Sequence, residues 1–254
     1  MKLKKVLGID IGGSGIKGAI VHTKKGKLLT ERYRIPTPGK STPENVAKVI
    51  KQIADHFNWE GPIGCGFPAV VQHGVARSAA NIDDSWIGVN INELVTKETG
   101  CPTMAINDAD AAGMAEMKFG AGKSHKGVVF LVTVGTGLGT VFFTRGKLLP
   151  NTELGHVLLN EQTAEEYASD AVRKRLDLTW EEWAVRFNEY LLYIEKLFSP
   201  DLFIIGGGAS KKDDKYIDQF TVQAPIIPAK LLNQAGIVGA ARAARLFFKE
   251  NENI

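Results

Sequence analysis

The first residues that could carry chemistry lie in Val6–Val21, where Asp10 and Lys17 flank a tight turn. That turn joins two apolar runs and is made of small residues, Gly12, Gly13, Ser14 and Gly15. Glycines let a ligand approach backbone N–H groups, a carboxylate can hold hydrated Mg²⁺, and a lysine can neutralise a phosphate. The segment therefore predicts a phosphate-binding hairpin with Asp10 near the metal, and an ordinary β-hairpin is the alternative.

A second hairpin of the same pattern occupies Val128–Phe143, in the other half of the chain. Its turn contains Gly135, Thr136, Gly137, Leu138 and Gly139. Self-similarity at this separation indicates a duplicated unit, for which a ligand shared between the halves is natural. The pair therefore favours phosphate binding over a plain hairpin, and it adds Gly135, Thr136 and Gly137 to the candidate phosphate-binding residues.

Asn107 and Asp108 lie between the two hairpins, where a predicted strand ends and a predicted helix begins. A carboxylate at that position can accept the proton of a hydroxyl group as its oxygen attacks phosphorus. The alternative, which spacing alone favours, is that Asp108 only caps the helix. Asp110 has the same two interpretations.

The segment Glu153-Leu154-Gly155-His156 places an acid and an imidazole three residues apart, beside a glycine. Such a pair can hydrogen-bond the vicinal hydroxyls of a sugar, although a lone histidine is more often structural or solvated. We do not expect a zinc site, because residues 157–172 contain neither Cys nor His.

Three further segments each have a structural and a ligand-binding interpretation. Gly206-Gly207-Gly208 follows an apolar strand and permits the close approach of a flat ligand such as adenine, or forms only a strand-to-helix turn. The basic segments Arg173-Lys174-Arg175 and Lys211-Lys212 are either solvated surface or a track for a polyanion.

The whole chain has the composition of a soluble globular protein, with 44% hydrophobic and 23% charged residues among 254. A net charge of +3 is too balanced to indicate nucleic-acid binding. We expect no membrane span, because no apolar run reaches about 18 residues. Two isolated cysteines, Cys65 and Cys101, and no signal peptide predict a reduced, cytoplasmic protein.

Strands and helices alternate twice along the chain, which predicts two α/β domains. We place the first at residues 1–107 and the second at 108–235, with the boundary near Asn107–Lys123. A terminal helix at about 236–250 is expected to pack back on the first domain. We predict one strand in 26–36 and one helix at 164–175. A capping box at Thr179–Glu182 predicts a further helix, whose aromatic stripe we interpret as core.

Five segments, in this chain order and over nearly the whole chain, resemble the ROK family of sugar kinases: DIGGSGIK, NDADAAG, TVGTGLG, ELGH and IIGGGAS. The resemblance implies an α/β, two-domain, actin-like (ribonuclease H-like) ATPase fold with an interdomain cleft. It also implies that DIGGSGIK and TVGTGLG bind donor phosphates, with Asp10 near Mg²⁺. The last segment, with Gly206–Gly208, then lies at the nucleotide.

The same resemblance assigns roles around the sugar. Asp108 falls on the catalytic aspartate, which acts as general base. The sugar-binding residues are then Asn81, Asn107, Asp108, Glu153, His156 and Glu165. Glu166 is the alternative to Glu165, because the alignment in AEEYAS is loose.

One departure from the family pattern indicates a subgroup of the family. Most members follow the sugar-binding histidine with a cysteine cluster that holds a structural zinc, and this chain lacks that insert, so no structural zinc is expected. The short length and the segments GGSGIKGAIV, SWIG, PNTELGH and AGIVGAA resemble the polyphosphate glucokinase subgroup.

The subgroup implies phosphoryl transfer from inorganic polyphosphate, and in some members ATP, to the 6-hydroxyl of glucose. The resemblance also implies a Mg²⁺ cofactor and a homodimer. We expect no nucleic-acid partner. The alternatives are a strictly ATP-dependent sugar kinase and a non-catalytic sugar sensor. We expect no N-terminal helix-turn-helix of a regulator, because the first hairpin begins almost at the first residue.

Overall fold

The computed structural model describes residues 3–80 and 82–251, and the chain forms two compact units. The first unit takes the chain up to Ala115 and resumes at Gln234, and the second is Glu116–Asn233. The first unit thus extends past residue 107, to a boundary at Ala115 that lies within the segment 107–123 where we placed it. The reason is packing: Asp108 and Ala111 lie against Gly66 and Gly239 of that unit.

The helices and strands are as follows. The strands are β1 (Lys5–Gly12), β2 (Gly15–His22), β3 (Lys27–Leu28), β4 (Tyr33–Ile35), β5 (Ile63–Phe67), β6 (Val71–Gln72), β7 (Val75–Ala76), β8 (Thr103–Asn107), β9 (Val128–Val134), β10 (Leu138–Thr144), β11 (Lys147–Leu149), β12 (Leu158–Leu159), β13 (Gln162–Thr163), β14 (Leu202–Gly207) and β15 (Ile226–Pro228). The α-helices are α1 (Pro43–His56), α2 (Ile91–Thr99), α3 (Asp108–Phe119), α4 (Ala164–Ala168), α5 (Asp170–Arg175), α6 (Trp180–Phe198) and α7 (Ala235–Asn251). Short 3-10 turns include Leu154–His156 and Ala209–Lys215.

The sheet of the first unit has the order β3-β2-β1-β5-β8, with β4 also pairing with β2. Strands β1 and β2 form an antiparallel hairpin, and β1, β5 and β8 run parallel. The carboxyl ends of these three strands therefore meet at one edge of the sheet, and Asn107 ends β8 at that edge.

Two helices cover the opposite faces of this sheet. A Cβ built on Gly8 would overlap the carbonyl oxygen of Ile237 in α7, so α7 covers the face onto which Gly8 and Asp10 project. A Cβ built on Gly18 would lie 2.5 Å from Cγ2 of Ile53 in α1, so α1 covers the other face. The Gly- and Ala-rich composition of α7 allows this close packing.

The sheet of the second unit has the order β11-β10-β9-β14-β15. It repeats the arrangement of the first: β9 and β10 form an antiparallel hairpin, and β14 pairs in parallel with β9. The aromatic stripe of α6 supplies much of the core beneath it. The prediction of a core stripe is confirmed for Trp183, Phe187, Leu191 and Ile194, which are fully buried, whereas Phe198 at the helix end is exposed.

Two predicted elements are divided in the structure. Residues 26–36 form the separate strands β3 and β4 rather than one strand. The predicted helix at 164–175 is broken at Ser169, whose backbone is extended and whose hydroxyl accepts a hydrogen bond from the Val172 amide to cap α5. No helix within the described residues is long and apolar enough to span a membrane.

Candidate active site

The first glycine turn is open on its outer side. Gly13 and Ser14 are exposed, and no heavy atom lies within 4 Å of the position that a Cβ of Gly13 would take. Two neighbours hold the turn by its carbonyl groups: Thr37 Oγ1 donates to the Gly12 oxygen and Arg34 Nη2 donates to the Ser14 oxygen, each at 2.5 Å. These bonds leave the outer side of the turn accessible to an anion.

Asp10 lies at the carboxyl end of β1 with positive charge on two sides. Lys17 Nζ is 3.4 Å from Asp10 Oδ2. The N-terminal turn of α7 is also close, since a Cβ at Gly236 would be 2.9 Å from Asp10 Oδ1. Helix N-termini favour negative charge, so both neighbours stabilise the carboxylate. Lys17 therefore contacts Asp10, and its side chain does not simply face solvent.

The start of α3 separates the roles of Asn107, Asp108 and Asp110. Asn107 Oδ1 accepts from the Asp110 amide at 3.0 Å and its Nδ2 donates to the Ala69 oxygen at 3.1 Å, so Asn107 caps the helix. Asp108 is half-buried and its Oδ1 accepts from the Ala109 amide at 2.7 Å. Asp110 is fully buried. Of the two aspartates, Asp108 is the one that a substrate can reach.

Asp10 and Asp108 lie at the same edge of the sheet. The register pairs Asp10 with Gly66 and Gly66 with Ile106, two residues before Asp108. Strand β5 lies between their strands, so the two positions are about 10 Å apart across the sheet. The carboxyl edge of a parallel sheet is where ligands usually bind in α/β proteins.

In the second unit, Glu153, His156 and Glu165 come together. His156 Nε2 is 3.6 Å from Glu153 Oε2, and its Nδ1 is 3.8 Å from Glu165 Oε1. His156 remains 47% exposed, so the group faces solvent. Burial raises the pKa of Glu153, the charge of Glu165 adds to that shift, and His156 opposes it.

Glu165, and not Glu166, belongs to this group. The Glu166 carboxylate accepts from the Thr163 hydroxyl at 2.7 Å in the capping box that opens α4. Glu165 Oε2 instead accepts from the Leu138 amide at 3.4 Å, beside the second glycine turn. Its carboxylate thus links that turn to His156.

Hydrogen bonds hold the segment 152–156 against β10. The buried Thr140 hydroxyl accepts from the Leu154 amide at 2.9 Å and donates to the Thr152 carbonyl oxygen. The Thr152 hydroxyl donates back to the Thr140 carbonyl oxygen at 2.7 Å, and the Tyr190 hydroxyl donates to the Leu154 oxygen at 3.3 Å. These bonds fix the backbone on which Glu153 and His156 stand.

The glycines at 206–208 are explained in part by packing. Gly207 has φ +75°, and a Cβ there would overlap the carbonyl oxygen of Val134 at the end of β9. The Gly208 amide donates to that same oxygen at 2.9 Å. The strand-to-helix turn interpretation therefore accounts for Gly207. A Cβ at Gly208 would make only an ordinary contact, at 3.9 Å from the Val134 carbonyl oxygen.

Two of the three side chains of the basic segment Arg173–Arg175 make contacts with neighbouring residues of the protein. Arg173 Nε donates to Asp170 at 2.9 Å, its guanidinium lies 4.2 Å from the Trp180 ring centre, and Lys174 Nζ is 2.7 Å from Asp170. Burial acts to raise the pKa of Asp170, but hydrogen bonds from Lys174 and Arg173 outweigh it and hold the pKa below its usual value. Lys211 and Lys212 are exposed in the 3-10 turn Ala209–Lys215.

The predicted residues thus collect at the carboxyl edge of each unit's own sheet. The first unit carries Asp10, the turn 12–15, Lys17, Asn107 and Asp108, and the second carries Gly135–Gly137, Glu153, His156, Glu165 and Gly206–Gly208. Asn81 lies outside the described residues. Sequence reasoning missed Arg34, Thr37, Thr140 and Thr152, because single polar residues on strands and loops give no spacing signal.

Comparison with known proteins places this geometry in a family. The sequence pattern of the ROK family matches residues 6–167. The polyphosphate glucokinase of Mycobacterium tuberculosis (strain ATCC 25618 / H37Rv) is 48% identical over 93% of this chain and 90% of its own length.

Two crystal structures have the same fold. The inorganic polyphosphate/ATP-glucomannokinase from Arthrobacter sp. strain KM matches with a TM-score of 0.92 and 48% identity, over 96% of this chain and 99% of that one. The ROK family glucokinase from Streptomyces griseus, in complex with glucose and AMPPNP, matches with a TM-score of 0.82 and 25% identity, over 95% of this chain and 99% of that one. The resemblance inferred from the five sequence segments is confirmed: the chain belongs to the ROK family and has its α/β, actin-like ATPase fold.

Proposed function

We propose that this protein is a glucose kinase that transfers a phosphoryl group from inorganic polyphosphate, with ATP as a second donor, to the glucose 6-hydroxyl. The observation that carries the proposal is the 48% identity, over nearly the whole chain, to a polyphosphate glucokinase. The solved relative named as a polyphosphate/ATP-glucomannokinase supports both donors.

Asp108 is the general base in this proposal. It accepts the proton of the 6-hydroxyl as the sugar oxygen forms a bond to the terminal phosphorus of the donor. The bond from that phosphorus to the bridging oxygen breaks, and the donor leaves one phosphate shorter. The half-buried position of Asp108 supports this role.

The sugar hydroxyls are bound by Asn81, Glu153, His156 and Glu165. The His156 ring lies 3.6 Å from the Glu153 carboxylate and 3.8 Å from the Glu165 carboxylate. These short distances support a joint role for the three side chains. Asn107 was predicted as a further sugar contact. Asn107 is only 7% exposed, and its side chain is already hydrogen-bonded to the Asp110 amide and the Ala69 carbonyl oxygen. We therefore assign Asn107 to the positioning of Asp108.

The donor phosphates rest on the turns 12–15 and 135–137, with Lys17 beside them. Open space at Gly13 and Gly135 supports this assignment, because no heavy atom lies within 4 Å of a Cβ at either residue. Adenosine, when ATP is the donor, is assigned to the 206–208 turn, where Gly208 is exposed.

Mg²⁺ fits the residues around Asp10. It is commonly bound through one or two carboxylates and substrate phosphates, and Asp10 is a partly exposed oxygen ligand beside the turn. Asp10 would hold the ion through water, and the ion would neutralise negative charge on the phosphates.

We also propose that the protein is a cytoplasmic homodimer. The support for a dimer is a group of exposed apolar side chains on the last turns of α6, Leu192, Tyr193, Leu197 and Phe198. Light scattering on the purified chain measures the oligomeric state directly.

Replacement of Asp108 tests the mechanism. Asp108→Asn keeps the shape of the side chain and removes the base, so we expect glucose 6-phosphate formation to fall by about 10²–10⁴-fold. Asp55→Asn, on the exposed side of α1, is the matched control and is expected to retain full turnover. Near-normal turnover by a folded Asp108→Asn protein would contradict the assignment.

A further inference from the structure

Three charged side chains form a row on one face of the first sheet. The register pairs Asp10 with Lys17 across β1 and β2, and Lys17 with Arg34 across β2 and β4. Directly paired residues of antiparallel strands project to the same face, and the 3.4 Å contact between Lys17 and Asp10 agrees with this. The row therefore ends in an arginine about 10 Å from Asp10 across the sheet.

Arg34 is held against the first glycine turn. Its Nη2 donates to the Ser14 oxygen at 2.5 Å, and a Cβ built on Gly15 would lie 2.5 Å from Arg34 Nε. The guanidinium thus lies directly over Gly15 while the residue stays exposed. It is placed at the same turn whose outer side is open at Gly13.

The two positive charges of this row differ in whether a carboxylate lies beside them. Lys17 is paired with the Asp10 carboxylate. The contact of Arg34 with Ser14 is to a neutral carbonyl oxygen, so that contact does not neutralise the guanidinium. α7 covers this face of the sheet and reaches the row at Asp10, where Gly236 begins its first turn. Arg34 therefore presents a positive charge at the exposed end of the row.

We propose that Arg34 is a donor-binding residue, which contacts phosphate groups of a linear polyanion beyond the one that is transferred. The inference rests on the proposed function and adds a residue to its donor site. A guanidinium presents a planar set of N–H donors that matches phosphate oxygens, and it stays charged at every working pH. Its distance from Asp10 exceeds the size of one phosphate group, so a chain of phosphates can extend from the Mg²⁺ that Asp10 would hold to the guanidinium of Arg34.

Three variants of the full chain test this role. Arg34→Met keeps the aliphatic stem and removes the charge, and Arg34→Lys keeps a charge without the planar donors. Lys48→Met is the matched control, because it removes one charge from an exposed site on α1, on the opposite face of the sheet. The measurements are KM and kcat with long-chain polyphosphate, with tripolyphosphate and with ATP, and calorimetric binding of tripolyphosphate without sugar.

For Arg34→Met we expect KM for long-chain polyphosphate to rise at least about tenfold, as for loss of a charge-assisted hydrogen bond, with kcat and KM for glucose nearly unchanged. The increase in KM should be smaller for ATP. Arg34→Lys should show a smaller increase in KM for polyphosphate than Arg34→Met, and Lys48→Met should have the KM of the wild type. The dependence of KM on salt should weaken in Arg34→Met, because a screened attraction has been removed.

Two results would overturn the inference. One is an unchanged KM for polyphosphate in Arg34→Met. The other is an equal loss with every donor together with a lower thermal unfolding midpoint, which would show that Arg34 only supports the turn. Failure of the proposed function is a different result: the wild type would then form no glucose 6-phosphate from polyphosphate, and tripolyphosphate binding would still decide whether Arg34 holds a phosphate chain.

Discussion

Glu153 lies in one group with His156 and Glu165, and this surrounding affects its pKa. Burial raises the pKa of Glu153 above its ordinary value of 4.5, and the neighbouring Glu165 charge adds to this. An ionised carboxylate accepts hydrogen bonds from sugar hydroxyls at both oxygens, whereas a protonated one has lost part of that capacity. Protonation of Glu153 should therefore weaken glucose binding.

This gives a pH prediction. As the pH falls, glucose affinity should decrease with a midpoint above 4.5. Calorimetric titration with glucose between about pH 4 and pH 8 measures it. Glu153→Gln is the control, because it removes only the titration of Glu153 and keeps the shape of the side chain. An identical pH profile in the two proteins would show that Glu153 does not bind the sugar in its ionised form.

At the residue scale, the sequence predicted candidate residues better than it predicted their roles. Asp108 and Asp110 could not be separated by spacing, since the distinction is burial: Asp110 is fully covered and Asp108 is half-buried. Asn107 caps α3, a role that spacing alone had favoured for Asp108. Arg34 could not be predicted, because its place at the turn depends on the pairing of β4 with β2.

At the scale of elements, the segment 152–156 depends on the hydroxyl of Thr140. That hydroxyl accepts from the Leu154 amide and donates to the Thr152 oxygen, and both bonds are made by a residue only 3% exposed. Strand β10, which carries Thr140, begins at the second glycine turn. The same strand therefore positions the turn and the segment with Glu153 and His156.

Thr140→Val tests this positioning role. It keeps the shape of the side chain and leaves the Leu154 amide without its acceptor, so we expect a loss of about 1–3 kcal/mol in unfolding free energy. KM for glucose should rise more than kcat falls, because Glu153 and His156 are displaced while Asp108 is not touched. Thr140→Ser retains the hydroxyl and should restore KM. A stability loss with an unchanged KM would limit Thr140 to a structural role.

The packing of α7 gives a second prediction at this scale. A Cβ at Gly239 would overlap the backbone carbonyl oxygen of Ala111 in α3. Gly239→Ala should therefore destabilise the protein by at least about 1–3 kcal/mol, although alanine is normally the better helix former by about 1 kcal/mol. Gly39→Ala is the matched control, because no heavy atom lies within 4 Å of its Cβ position. Denaturant titration compares them, and equal stabilities would contradict the close contact.

The elements that were predicted well are those with a long periodic pattern or a specific cap. The capping box at Thr179–Glu182 and the buried stripe of α6 are both present. The short strands β3 and β4 were merged in the prediction, because two or three residues carry no period. The break at Ser169 was missed because its cause is a serine hydroxyl that caps α5, within an otherwise helical pattern.

For the whole molecule, the repeated hairpins predicted two α/β halves, and each unit does contain an antiparallel hairpin with a parallel strand beside it. The boundary was placed near 107–123, but its exact residue within α3 depends on the packing of Ala111 against α7, which the sequence does not show. The resemblance to the ROK family came from the order of five segments, and no single segment would have been specific enough.

The identity of the phosphoryl donor is the central claim at this scale. Three features favour a phosphate chain over a donor that is recognised through adenine. The glycine turns are open, Arg34 is exposed beside one of them, and Gly207 is explained by packing against Val134.

A single assay tests it most directly: glucose 6-phosphate formation by the wild-type protein with polyphosphate or ATP as donor, at equal Mg²⁺ concentration. We predict product with polyphosphate at a higher kcat/KM than with ATP. Product with ATP and none with polyphosphate would contradict the account.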